Sequence, residues 1–192
     1  MVITYNGDNY FKIQSGNFTV LIDPGDRRSF RGANAVLSTL KPAEAVPDEG
    51  ETFFVDNQGE YEVGDLALKG ISLGYEGGAE RTAYRFELEG IKVLVLGHLV
   101  KEPAAETQEY FHGADVVIAP AGGKPYLSET LVGKIVRQIE PALIIPTLFN
   151  PPAGGLKNFL REFNKSECVP EEKLVLKAKD LKAGAMEVRC LK

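Results

Sequence analysis

The strongest constraint on the fold is a change of rhythm halfway along the 192-residue chain. Up to about residue 90 the sequence reads as short strands broken by tight turns. Beyond it come brief, continuously apolar runs separated by helix-length segments. A run such as Ile91–Leu96, with no polar residue on either parity after Lys92, fits a strand covered on both faces. Asp115–Ala119 and Leu143–Ile145 read the same way. Between them, Leu131, Val132, Ile135, Val136 and Ile139 recur at helical spacing, with Ser128 placed to cap the helix. Strands first and strand–helix alternation second is compatible with two sheets covered by helices.

The remaining expectations follow from local chemistry. Val2–Tyr5, Tyr10–Gln14 and Phe18–Ile22 read as strands, the last two joined by the turn residues Ser15-Gly16-Asn17. Asp23-Pro24-Gly25 ends the third strand, because Pro24 cannot donate to a ladder. Ala35–Thr39, Thr52–Val55, Tyr61–Val63, Leu66–Lys69 and Thr82–Leu88 are further strands, and Lys41–Gly50 and Gly74–Gly78 are loops. Pro103–Tyr110 and Leu156–Phe163 are short helices, and Lys173–Lys177 and Glu187–Leu191 late strands. The whole, residues 1–192, reads as one domain.

Several function classes recede. The net charge is −5 with scattered Lys and Arg, so no basic face marks a nucleic-acid binder. No apolar run approaches the length of a membrane span, and no signal peptide is evident. Cys168 and Cys190, the only cysteines, are expected as free thiols in a reducing cytosol rather than as a disulfide or a metal clip.

Six segments, in order, carry a resemblance: Y-N-G-D-N-Y-F at Tyr5–Phe11, V-L-I-D-P-G at Val20–Gly25, Q-G-E-Y-E-V-G-D at Gln58–Asp65, V-L-V-L-G-H-L at Val93–Leu99, A-D-V-V-I-A-P-A-G-G at Ala114–Gly123, and P-A-L-I-I-P-T-L-F at Pro141–Phe149. Together they resemble the metallo-β-lactamase superfamily, in particular its L-ascorbate-6-phosphate lactonase-like branch. The resemblance implies a four-layer αββα sandwich, an α/β fold, with a metal site at the ends of the strands. Hydrolases of this superfamily carry a T-H-x-H-x-D-H-like loop whose imidazoles and carboxylates converge on zinc or a similar ion and activate water. Here the corresponding stretch is T-L-K-P-A-E-A. Leu40, Pro42 and Ala45 stand where the three histidines would be, and Glu44 where the aspartate would be. His98 takes the place of a bridging aspartate, Leu148 that of another histidine, and Asp8 that of an N-terminal histidine. Asp23, Glu60 and the Gly122-Gly123 loop match the pattern and, by resemblance, shape the site.

The resulting expectation is a degenerate, metal-free member: a pseudo-hydrolase in the cytoplasm that binds a protein partner or self-associates, with no catalytic residues, no cofactor, and neither nucleic acid nor membrane as partner. The apolar replacements would pack together as a plug or shallow pocket. The alternative is a metal-dependent hydrolase of a phosphoester or lactone-like substrate, with zinc or a similar ion rebuilt on His98, Asp23 and Glu44. His98 otherwise reads as a histidine at a strand end bonded to a nearby carboxylate, and His112 as a solvent-facing residue at a helix end.

Overall fold

The computed structural model describes residues 1–26, 30–41, 52–149 and 154–192. Pro42, Glu44 and Ala45 lie outside the described residues.

A six-stranded sheet forms first. Strands β1 (Val2–Tyr5), β2 (Phe11–Ser15) and β3 (Phe18–Ile22) make an antiparallel meander. Strands β4 (Ala35–Leu37) and β5 (Phe53–Val55) then add in parallel to β3. Alternation explains the inner face: Phe11 and Ile13 are fully buried while Lys12 and Gln14 point away.

The second sheet begins with antiparallel β6 (Gly59–Val63), β7 (Leu66–Glu76), β8 (Ala79–Leu88) and β9 (Ile91–Val95). It continues in parallel through β10 (Val116–Pro120) and β11 (Leu143–Thr147). The parallel strands β10 and β11 are buried at every position, as their apolar sequence, broken only by Thr147 at the end of β11, leads one to expect.

The three described α-helices are α1 (Ala105–Glu109), α2 (Glu129–Ile139) and α3 (Gly155–Arg161). Val132, Ile135 and Val136 of α2 and Phe159 and Leu160 of α3 pack with Val117, Ala119 and Ile144 of the second sheet. Ser128 occupies the N-cap position of α2, but its side chain makes no capping bond. The main core lies between the sheets, where Ile3, Phe11, Ile13, Val20 and Ile22 meet Phe86, Val93, Val95, Ile118 and Ile145. A smaller cluster of Leu21, Ala33 and Val36, flanked by Tyr10, Phe30 and Phe54, covers the outer face of the first sheet. The architecture is the α/β sandwich that the sequence led us to expect. No helix among the described residues is long and apolar enough to cross a membrane.

Four expectations need correction. Gly74–Gly78 is not simply a loop: β7 runs on to Glu76, across an irregularity between Ser72 and Gly74, and only Gly77-Gly78 makes the turn to β8. The irregularity breaks the alternation that would have revealed the strand. The last apolar stretch is divided as well. In it, β14 (Glu187–Val188) extends the second sheet beside β11, while β15 (Cys190–Leu191) pairs with β12 (Pro170–Glu171). Lys173–Lys177 shortens to β13 (Leu174–Val175), paired with β1. Finally, Cys168 and Cys190 are not free thiols: they form a disulfide with a Cα–Cα distance of 5.9 Å across 22 residues. Pairing of β12 with β15 brings the two cysteines together, and with the bond the thiol argument for a reducing cytosol falls away.

Candidate functional site

The site forms where the ends of β3, β4, β9 and β11 meet. Asp23 follows β3 with a left-handed φ of 46°. That turn aims its carboxylate at the end of β4, where every nearby group donates. Oδ1 accepts from the Thr39 backbone N–H at 2.6 Å, and Oδ2 accepts from Asn9 Nδ2 and from the Thr39 hydroxyl, both at 2.5 Å. Both carboxylate oxygens are therefore engaged. The orientation of the Asn9 amide follows, because the reverse would set its oxygen against Asp23. Asn9 Oδ1 is left buried without a hydrogen-bond partner.

Thr39 carries the network to the second sheet. Its side chain is fully buried, and its Oγ1 lies 2.7 Å from His98 Nδ1. The one hydroxyl proton is given to Asp23, so His98 Nδ1 must be the donor to Thr39 Oγ1. This assignment puts a proton on Nδ1 of His98. Burial pushes its pKa below the ordinary value, opposed in part by the charge of Asp23. Burial pushes Asp23 upward, countered by His98 and by the three donors. Nδ1 and Asp23 Oδ2 are 3.6 Å apart, and Thr39 bridges them.

Gly97, just before His98, allows the close approach. Its φ is 53°, and a Cβ there would lie 2.4 Å from Thr39 Cβ. A second tie crosses between the sheets nearby. The Asp8 carbonyl, at a residue with φ 50°, accepts from the Thr147 hydroxyl at 2.6 Å and from the Leu148 N–H at 3.1 Å. The fully buried Tyr84 makes a third, its hydroxyl proton shared between the carbonyls of Ser38 at 2.9 Å and Val55 at 3.1 Å.

Of the residues singled out from sequence, Asp23 and His98 come together, and Asp8 and Leu148 meet through their backbones. Leu148 is buried with φ 53°. Leu40 makes an isolated antiparallel bridge to Arg81. Neither leucine joins the apolar clusters, and the junction expected as a dry plug is held by polar contacts. Glu60 stands apart: its carboxylate is 79 % exposed and pairs with Lys69 at 3.0 Å on the β6–β7 hairpin. Gly122 is required for close packing, since a Cβ there would fall 2.2 Å from the Leu148 carbonyl oxygen. His112 is exposed in the turn after α1.

Sequence reasoning missed Asn9, Thr39, Arg81 and Tyr126. The signal for Thr39 was the polar pair Ser38-Thr39 closing the apolar run Ala-Val-Leu. The Tyr126 ring lies 5.9 Å from the His98 ring. Arg81 donates through Nη1 to the carbonyls of Glu76 and Ala79, and its charge is felt at both His98 and Tyr126.

Zinc needs about three or four protein ligands with free lone pairs at close range. Among the described residues no three His, Cys, Asp or Glu side chains are so grouped. Asp23 offers no uncommitted oxygen, and His98 offers only Nε2. The described residues do not fit the metal.

A family description, the beta-lactamase superfamily domain, matches residues 2–148. No curated protein matches the chain in sequence. Among solved structures, the chain is similar to a candidate Zn-dependent hydrolase of the metallo-β-lactamase superfamily from Thermotoga maritima, at 23% identity and a TM-score of 0.81, over 99% of this chain and 97% of that one. It is similar to the metallo-β-lactamase fold protein YhfI from Bacillus subtilis at 12% identity and a TM-score of 0.67, over 100% and 96%. A candidate metal-dependent hydrolase from Parabacteroides distasonis gives 14% identity and 0.67, over 99% and 93%. At these identities the likeness is one of fold.

Proposed function

This chain belongs to the metallo-β-lactamase superfamily, and from that premise we propose that it is a pseudo-hydrolase: a member without the superfamily's metal centre that serves as a binding or assembly module. The motifs quoted above resemble those of the L-ascorbate-6-phosphate lactonase-like branch, which we take as the branch for this proposal. One observation carries the reading. The place where a metal would join loops of the two sheets is joined instead by the Asn9–Asp23–Thr39–His98 hydrogen bonds. Donors engage Asp23 on both oxygens, three bonds to about four acceptor sites, so little of the carboxylate is left to a cation. Leu40 and Leu148, which the resemblance sets at ligand-histidine positions, supply no lone pair.

A second reading draws on the names of the fold relatives, two of them candidate hydrolases, and on His98 Nε2, which makes no hydrogen bond among the described residues. It is a metal-dependent hydrolase of a phosphoester or lactone-like substrate. Metal content separates the two. Protein purified without chelator is expected to hold no stoichiometric transition metal, and zinc is expected not to raise its melting temperature in a concentration-dependent way. Stoichiometric metal, with hydrolysis that disappears in His98→Ala, would replace the first reading with the second.

A further inference from the structure

The edge of the second sheet carries backbone groups that the fold leaves open. β6 is its outermost strand and pairs only with β7 among the described residues. The two-residue turn Gly64-Asp65 makes Val63 and Leu66 a hydrogen-bonded pair, so Val63, Tyr61 and Gly59 turn their N–H and C=O groups toward β7. Glu60 and Glu62, the residues between, turn theirs outward, and no other strand or loop among the described residues takes them up. A row of this kind is a template for one more strand.

The two sides of this edge differ. On the outer face, Glu60 and Glu62 rim a trough of about 680 Å³ that continues over Lys69, Arg85, Glu87 and Lys92. The cations nearest the rim are engaged: Lys69 pairs with Glu60 at 3.0 Å, and Arg85 donates to the Tyr110 carbonyl at 3.1 Å. From Asp56 to Asp65 the chain carries four carboxylates, Asp56, Glu60, Glu62 and Asp65, and no lysine or arginine. On the inner side, Phe53 of β5 is 43% exposed, its ring edge-on to Tyr61 at 6.2 Å. An added strand would meet acid along one row of side chains and an aromatic ring along the other. A second copy of this chain does not suit. Two β6 strands paired antiparallel about Tyr61 set Glu60 of each against Glu62 of the other, and like charges directly opposite repel.

We propose that β6 receives an extended segment of a partner protein in which basic residues alternate with apolar ones. The inference rests on the binding-module reading and gives it a partner class. Residues opposite one another on neighbouring strands share a face. Basic side chains therefore stand opposite Glu60 and Glu62 over the trough, and the apolar residue between them stands opposite Tyr61, beside Phe53. Ladder hydrogen bonds to the N–H and C=O groups of Glu60 and Glu62 supply affinity, and the two side-chain rows supply selectivity. The charge on β6 acts twice: it keeps copies of the chain apart, and it selects a strand of opposite charge.

The full chain, titrated with the end-capped peptide T-K-V-R-V-K-T and followed by amide-resolved NMR, provides the test. Binding should saturate, and at saturation hydrogen exchange at the Glu60 and Glu62 amides should slow by about tenfold or more. The Tyr61 and Val63 amides, already bonded to β7, should change little. Glu60→Gln and Glu62→Gln should each raise Kd about threefold and leave the melting temperature unchanged. Two controls should not bind: the charge-reversed peptide T-E-V-E-V-E-T, and the basic peptide methylated on the backbone nitrogens of its lysines and arginine. No saturable binding up to millimolar peptide, equal binding of either control, or binding without slowed exchange at Glu60 and Glu62 overturns the inference. Slowed exchange there that grows with protein concentration alone assigns the edge to a second copy and overturns it as well. Each of these results leaves the metal-free reading standing, because metal content decides that reading independently.

Discussion

Gly97 and Thr39 are packed so closely that a methyl group on Gly97 would stand 2.4 Å from Cβ and 2.5 Å from Oγ1 of Thr39. That contact sets the sheet-to-sheet spacing at which the Thr39 hydroxyl reaches both Asp23 and His98. Gly97→Ala adds a clash to a backbone already at φ 53°. It should destabilise the protein by about 3 kcal/mol or more, from overpacking and left-handed strain together. Gly25→Ala, where a Cβ meets nothing within 4 Å, should change stability by less than about 0.5 kcal/mol. Urea unfolding of the two variants makes the comparison; equal midpoints would refute the packing argument.

Thr39→Val keeps the shape of the side chain and removes the bridge. Asp23 loses one donor and His98 Nδ1 loses its acceptor, both in a buried setting. A cost of about 1–3 kcal/mol is expected. The NMR signature of His98 should change from a single tautomer to a mixture. Retention of one tautomer in Thr39→Val would show that another group fixes the ring.

The pH dependence follows from His98. Burial holds its folded pKa below the ordinary 6.5, with Asp23 opposing. On acidification the unfolded chain therefore takes up this proton first. Stability should fall as pH drops below about 6.5 and level off below the folded value, with a slope of at most about 1.4 kcal/mol per pH unit. Asp23 works in the opposite direction. Its folded pKa is raised by burial above the ordinary 3.8, so protonation there relieves the fold as pH falls through that window. Urea midpoints against pH should lose the decline near 6.5 in His98→Gln. The same decline in both proteins would assign it elsewhere.

Reduction of Cys168–Cys190 opens a closure across 22 residues. Chain-entropy arguments give about 3 kcal/mol for such a loop, or roughly 6–12 °C in melting temperature for a chain of this size. The nearby fork of Arg189 on Glu171, with both contacts at 2.5 Å, holds the same pair of strands and should keep them partly docked. Calorimetry with and without reductant, with thiols counted by mass spectrometry, checks the value. An unchanged melting temperature in fully reduced protein would show that the fork and the strand pairing suffice.

Much of the fold was legible because it rests on local patterns. Val2–Tyr5 and Phe18–Ile22 carry alternation or apolar runs bounded by turn residues, and they form strands at those limits. The buried faces of β10, β11 and α2 follow equally from their periodicity. The site was legible only in outline. Asp23 and His98 were visible as polar residues at strand ends, but Thr39 gains its role from a contact 59 residues away. Glu60 matched a motif, yet β6 lies at the edge of its sheet and pairs it with Lys69. Cys168 and Cys190 met through β12 and β15, which are two residues each, too short to leave a periodic signal. The Arg81 bridge to Leu40 likewise depends on how two sheets meet rather than on any neighbouring residue.

The tie between Asp8 and Thr147 spans 139 positions of sequence. On a ribosome, the turn that holds Asp8 emerges early and must wait for most of the polypeptide before its partner exists. Closing so long a loop is entropically slow compared with forming the β1–β2 hairpin. The junction should therefore be among the last parts of a newborn molecule to mature, and fragments ending before β11 should recognise nothing there, however well their first sheet has folded.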